Sequence, residues 1–155
     1  MDKTNVMRIL DQKKISYEVH TNTGTEAISG IEVAEVLGQR PEQVFKTLVT
    51  VGKSKQYYVF VVPVCKELNL KKAANSVGEK NIEMIKSKEL LPLTGYIHGG
   101  CSPIGMKKFF TTTIDSSASD CPTMMFSAGR IGYQVKMKLA DLQKVIRVQL
   151  ADICD

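Results

Sequence analysis

Val44-Phe45-Lys46-Thr47-Leu48-Val49-Thr50-Val51 is followed by Gly52-Lys53-Ser54-Lys55 and then by Gln56-Tyr57-Tyr58-Val59-Phe60-Val61-Val62. Two runs rich in β-branched and aromatic residues flank four turn-forming residues, which predicts a hairpin of central strands. The neighbouring segments mix both periodicities. On the N-terminal side, Val6 and Leu10 stand four apart with Met7 and Ile9 nearby, as on one face of a helix running to Lys13. Ile15 to His20 alternates as a strand does. Ser29-Gly30-Ile31-Glu32 matches a capping box, Val33, Ala34, Val36 and Leu37 supply the apolar face, and Gly38 closes that helix.

Beyond the hairpin, Asn69 can cap a helix through Leu70, Ala73, Ala74 and Val77 that ends at Gly78. A short strand at Glu83 to Ile85 and a turn of helix from Ser87 follow. Strands are expected at Lys107 to Ile114 and at Thr123 to Ser127. Another is expected along the alternation Tyr133, Val135, Met137, Leu139, and a terminal one from Arg147 to Leu150 after a helix at Ala140 to Val145. Strands and helices that do not strictly alternate argue for an α+β fold with a mixed or antiparallel sheet.

Composition narrows the class. The chain has 155 residues, 43% hydrophobic and 24% charged, which suits a single globular domain over residues 1–155. The longest apolar stretch is broken by Pro63 and Lys66 and is too short to span a bilayer, and Met1 to Asn5 lacks the apolar core of a signal peptide. A protein without membrane association, in the cytoplasm, is expected. Cys65, Cys101, Cys121 and Cys154 form no C-x-x-C pair, and His20 and His98 are the only histidines. Free thiols in a reducing compartment, with no metal and no cofactor, is the expectation. The net charge of +5 is scattered over pairs such as Lys13-Lys14, Lys71-Lys72 and Lys107-Lys108. It permits a polyanionic partner such as RNA and equally describes a solvated surface.

Three places could carry chemistry. Lys46, inside an apolar strand, is either a lysine on a solvent face or an amine held in a cleft. Gly99-Gly100-Cys101-Ser102-Pro103-Ile104-Gly105 is either a tight structural turn or a loop whose backbone approaches a ligand. It is not a phosphate loop, because Met106 follows Gly105. Ser127-Ala128-Gly129-Arg130 offers no nucleophile elbow, and no Ser-His-Asp set can be assembled around it. Cys101 lacks an identifiable base, and His20 and His98 read as packed or surface residues.

The ordered set of Val44-Phe45-Lys46-Thr47-Leu48, the glycine loop and Ser127-Ala128-Gly129-Arg130 resembles the YbaK/EbsC family of free-standing aminoacyl-tRNA deacylases. With Lys14-Ile15-Ser16-Tyr17 and His20-Thr21, it is most similar to the branch acting on cysteinyl-tRNA(Pro). The resemblance implies an α+β domain around a mixed, partly barrel-like sheet, related to the editing insertion of bacterial prolyl-tRNA synthetases. It implies that Lys46 is the residue on which activity depends. Thr47, Gly99, Gly100, Cys101, Ser102, Pro103, Ser127, Ala128 and Gly129 would then form the substrate pocket. Relatives often carry an aromatic where this chain has Asn22 and an acidic residue where it has Gln134, so these two positions bear on substrate preference.

The expected substrate is the aminoacylated 3′ end of tRNA, and the expected partner is prolyl-tRNA synthetase. Because a cysteinyl ester brings its own thiol, attack by that thiol with release of a cyclic thiolactone is the expected chemistry. Two alternatives stay open. One is deacylation of another mischarged tRNA such as alanyl-tRNA(Pro). The other is a tRNA- or synthetase-binding module without catalysis.

Overall fold

The computed structural model describes residues 2–23 and 29–155, which form eight strands and five α-helices. The quoted hairpin is its centre. β2 (Phe45–Gly52) and β3 (Tyr57–Pro63) pair antiparallel, with Lys46 opposite Val62 and Val49 opposite Val59. Alternation sends Val59 and Val61 to one face and Tyr58, Phe60 and Val62 to the other, and all five are buried. A strand covered on both faces must be apolar throughout, which accounts for the unbroken run at Tyr57 to Val62.

β3 is extended by β5 (Thr111–Asp115) and then β8 (Gln149–Ala151), both parallel, while β4 (Ile82–Met84) lies antiparallel on the other side of β2. The order β4-β2-β3-β5-β8 makes a five-stranded mixed sheet. A second sheet, β1-β7-β6, is antiparallel and built from β1 (Glu18–Thr21), β6 (Met124–Arg130) and β7 (Tyr133–Met137). An isolated bridge from Val44 to Met125 links the two. The α+β class and the mixed sheet are as expected. The strands fall into two sheets, however, and do not close into a barrel. The inner face of the larger sheet, Phe45, Val49, Val59, Val61 and Ile114, packs against Met124, Phe126 and Val135 of the smaller one and against α1 (Asn5–Gln12). Its outer face packs on Ala73 and Ala74 of α3 (Leu70–Val77) and on Ile153.

Caps fix the helix ends. The Thr4 hydroxyl accepts from the Met7 N–H at 3.3 Å, and Asn69 Oδ1 accepts from the Lys72 N–H at 2.9 Å. Ser29 and Glu32 exchange side-chain-to-backbone bonds at 3.1 and 3.2 Å to start α2 (Gly30–Val36). Several boundaries differ from the sequence reading. Lys107 to Phe110 are outside the strand, which starts at Thr111 where pairing with Tyr58 of β3 begins. The turn of helix at Ser87 runs on as α4 (Ser87–Thr94) despite Pro92, and Leu139 opens α5 (Leu139–Val145) instead of extending β7.

Candidate active site

The site follows from the shortness of one strand. β4 pairs with β2 only along Thr50 to Gly52, and one further bond, from the Ile85 N–H to the Val49 carbonyl at 3.3 Å, precedes the turn into α4. Past that point the edge of β2 has no strand beside it among the described residues. The backbone groups of Thr47 point to the same side as those of Val49, hence into the opening. A cavity of about 490 Å³ occupies this gap. That volume suits a small molecule or the end of a chain, not a folded partner.

Four segments complete the walls. α2 contributes Ser29, Gly30 and Val33, and the β4–α4 connection contributes Met84 to Ser87 with Leu90. His98, Gly99 and Cys101 come from the glycine loop. Ser127 and Gln134, directly opposite each other on β6 and β7, also line the cavity. A register shift between Ser127 and Arg130, with Gly129 at φ +95°, turns the chain there.

Lys46, Thr47, Gly99, Cys101, Ser127 and Gln134 are thus brought together from distant parts of the sequence. Six other expected residues do not line the cavity. Asn22 lies just past β1, its N–H bonded to the Gly132 carbonyl at 2.9 Å. Gly100 packs on the chain at Arg130 and Ile131, where a Cβ would come within 3.1 Å of the Ile131 nitrogen. Ser102 is buried and accepts from the Ile104 N–H, Pro103 and Ala128 are buried, and Gly129 packs against Tyr96 and Val6. The sequence reading did not single out the β4–α4 wall, the α2 wall or a cavity position for His98. Lys86 in that wall is one of many scattered lysines in the sequence.

The polar groups set the chemistry. Lys46 is partly sheltered, its side chain 31% exposed, and its Nζ lies 3.8 Å from Glu67 Oε1. Glu67 is itself 83% exposed, so the pair contributes on the order of 0–1 kcal/mol to stability and acts by placing the ammonium. Its loop is held down by the C-terminal residues. The Asn69 N–H donates to the Ile153 carbonyl, and the Asp155 N–H donates to the Glu67 carbonyl. The Thr47 hydroxyl oxygen is buried without a hydrogen-bond partner. In the glycine loop, the Gly100 N–H is committed to the Ile97 carbonyl at 3.0 Å. The Gly99 and Cys101 N–H groups, which flank it, have no partner among the described residues.

Among the described residues, lysines line the cavity and carboxylates do not, so it favours an anion or the oxygen of a polarised carbonyl. Burial pushes the Cys101 thiol up to about 12, which keeps it protonated at neutral pH and unsuited to nucleophilic attack. Among the described residues no three His, Cys, Asp or Glu side chains gather as a metal-binding cluster, and no helix is long and apolar enough to cross a membrane.

Residues 25–145 match the model of the aminoacyl-tRNA editing domain. The chain is 41% identical over 152 residues to a protein of Enterococcus faecalis named "Putative Cys-tRNA(Pro)/Cys-tRNA(Cys) deacylase EbsC", covering 97% of this chain and 93% of that one. Among solved structures, a hypothetical protein superimposes with a TM-score of 0.89 at 19% identity, over 98% of this chain and all of its own. A "putative trans-editing enzyme for prolyl tRNA synthetase" gives 0.83 at 22% identity, over 99% of both chains. At those identities the two structures speak for the fold. Taken with the family match over most of the sequence, they leave one assignment: this chain belongs to the aminoacyl-tRNA editing domain family.

Proposed function

We propose that the protein removes cysteine from mischarged Cys-tRNA(Pro), and from Cys-tRNA(Cys), by letting the substrate thiol attack its own ester, with residues 1–155 acting as one editing unit. The observation that carries this reading is the cavity at the open edge of β2, which is lined by Lys46, by Gly99 and by Cys101 with its protonated thiol, and among the described residues by no carboxylate. Such walls position and polarise an ester without supplying an activated protein nucleophile. A cysteinyl ester supplies one itself, because a thiol of ordinary pKa about 8.5 is a few per cent thiolate near neutrality and strongly nucleophilic.

The thiol loses its proton to solvent, and its sulfur bonds to the carbonyl carbon. The oxyanion that forms is met by the N–H groups of Gly99 and Cys101. The bond to the ribose oxygen then breaks, that oxygen takes up a proton, and a four-membered thiolactone departs and hydrolyses in water. Lys46 orients the ester or the terminal ribose as a cation. Thr47, next to it on β2, lines the same cavity. Holding sulfur and carbonyl in contact is the main contribution of the fold.

Only the aminoacyl end fits the cavity, so tRNA contact elsewhere is loose, and a surface charge of +5 makes it salt-sensitive. Prolyl-tRNA synthetase, which releases the mischarged tRNA, is the partner this reading gives, in the cytoplasm where charging occurs. The test is single-turnover deacylation of cysteinyl-, seryl- and alanyl-tRNA(Pro) across pH. The cysteinyl rate should rise with pH through the thiol range and exceed the other two by orders of magnitude, with a thiolactone trapped by an added amine. Equal cysteinyl and seryl rates would instead require an activated water, and a dominant alanyl rate would change the substrate.

A further inference from the structure

The cavity has a second lysine that the deacylation chemistry leaves unused. Lys86 is the first residue after Ile85, whose N–H makes the last bond to β2, so it stands where β4 peels away and the opening begins. Lys46 stands near the other end of the same unpaired edge. Three residues of extended strand separate it from Val49, which sets the two backbone positions on the order of 10 Å apart. Their surroundings differ. Lys46 has Glu67 at 3.8 Å, whereas Lys86 is exposed and makes no ion pair among the described residues. A cation on a cavity wall without a counter-charge attracts an anion carried by the ligand.

The chemistry of an aminoacylated RNA end identifies that anion. The ester is neutral and the amino group of the aminoacyl moiety is cationic. The nearest negative charge is the phosphodiester on the 5′ side of the terminal nucleoside, one sugar away from the ester. The geometry points to Lys86 as the anchor for this terminal phosphate, while Lys46 holds the ester end, so that the pair spans one nucleotide along the open edge of β2. This rests on the deacylase reading above and adds a phosphate subsite to it. Lys86 is therefore a substrate-positioning residue, and it makes the cavity read a nucleotide where a nucleoside alone would otherwise do.

The experiment compares two non-hydrolysable ligands by calorimetry: 3′-cysteinylamino-3′-deoxyadenosine with and without a 5′-phosphate. The wild-type protein should bind the phosphorylated ligand about five- to tenfold more tightly at low salt, and the preference should shrink as salt rises. In Lys86→Ala the preference should fall to within about twofold, and Lys86→Arg should restore most of it, because the contact is a charge. Equal binding of the two ligands by the wild type, or an undiminished preference in Lys86→Ala, overturns the assignment of Lys86 and leaves the deacylase reading intact. A wild-type protein that binds neither ligand and does not cleave cysteinyl-tRNA removes both.

Discussion

A lysine that polarises or orients an ester needs its charge in the right place, whereas one that acts as a base needs to shed it, and substitution separates the two. Lys46→Ala should lower kcat/KM for cysteinyl-tRNA by roughly a hundredfold or more, while Lys46→Arg, which keeps a cation, should stay within about tenfold of the wild type. Equal collapse in both variants, read by single-turnover deacylation, would assign the amine a proton-transfer role. Glu67 helps place the ammonium from 3.8 Å away. Lys46 was legible in the sequence because a charge within Val44 to Val49 is conspicuous. Cys101 was harder to judge. Its thiol sits in a glycine loop that looks reactive, and only burial, invisible in sequence, shows that the group stays protonated. Asn22, Ser102 and Ala128 stood out for their motifs yet lie outside the cavity, because a motif marks a stretch of chain and not which of its side chains face inward.

At the level of elements, the cavity depends on a close approach. Gly30 opens α2 against the end of the hairpin, and a Cβ there would come within 2.3 Å of Val64 Cγ1. Val64 is β-branched and cannot swing aside cheaply. Gly30→Ala should therefore cost about 1–3 kcal/mol in urea unfolding and raise KM by displacing the α2 wall. Adding Val64→Ala should recover part of both losses, since the two sites share one contact. Simple addition of the separate effects would show that the contact does not govern the wall. The capping box at Ser29 and Glu32, the Asn69 cap and the central hairpin were all legible, because each is a local arrangement of a few neighbouring residues. The division into two sheets was not. Parallel pairing of β3 with β5 and of β5 with β8 is decided by distant packing, and the short pairing of β4 has no mark in Asn81 to Lys86.

For the molecule as a whole, stability should be tied to three protonated groups. Burial raises Cys101 and Cys154 from 9.0 to about 12 and Tyr96 from 10.0 to about 12, with nearby Asp115 adding to the shift at Cys154. In each case the fold favours the neutral form. Below pH 9 folded and unfolded chains are both protonated and the contribution is intact. Between about 9 and 12 the unfolded chain releases protons that the folded chain retains, so stability falls as pH rises. Urea midpoints under reducing conditions should be level up to about pH 9 and decline above it, less steeply in Cys101→Ala. An unchanged slope in that variant would place the alkaline sensitivity elsewhere.

The clamp of residues 153–155 on the loop that bears Glu67 also has a consequence in time. Lys72 Nζ reaches the Cys154 carbonyl across 82 residues of sequence, and the Ile153 carbonyl holds Asn69 beside it. During synthesis the hairpin carrying Lys46 leaves the ribosome long before these partners do, and contacts so distant in sequence form late in folding as well. A nascent chain therefore exposes its lysine while the surrounding loop is still unfastened, and the capacity to edit arrives only once residues 153–155 have docked.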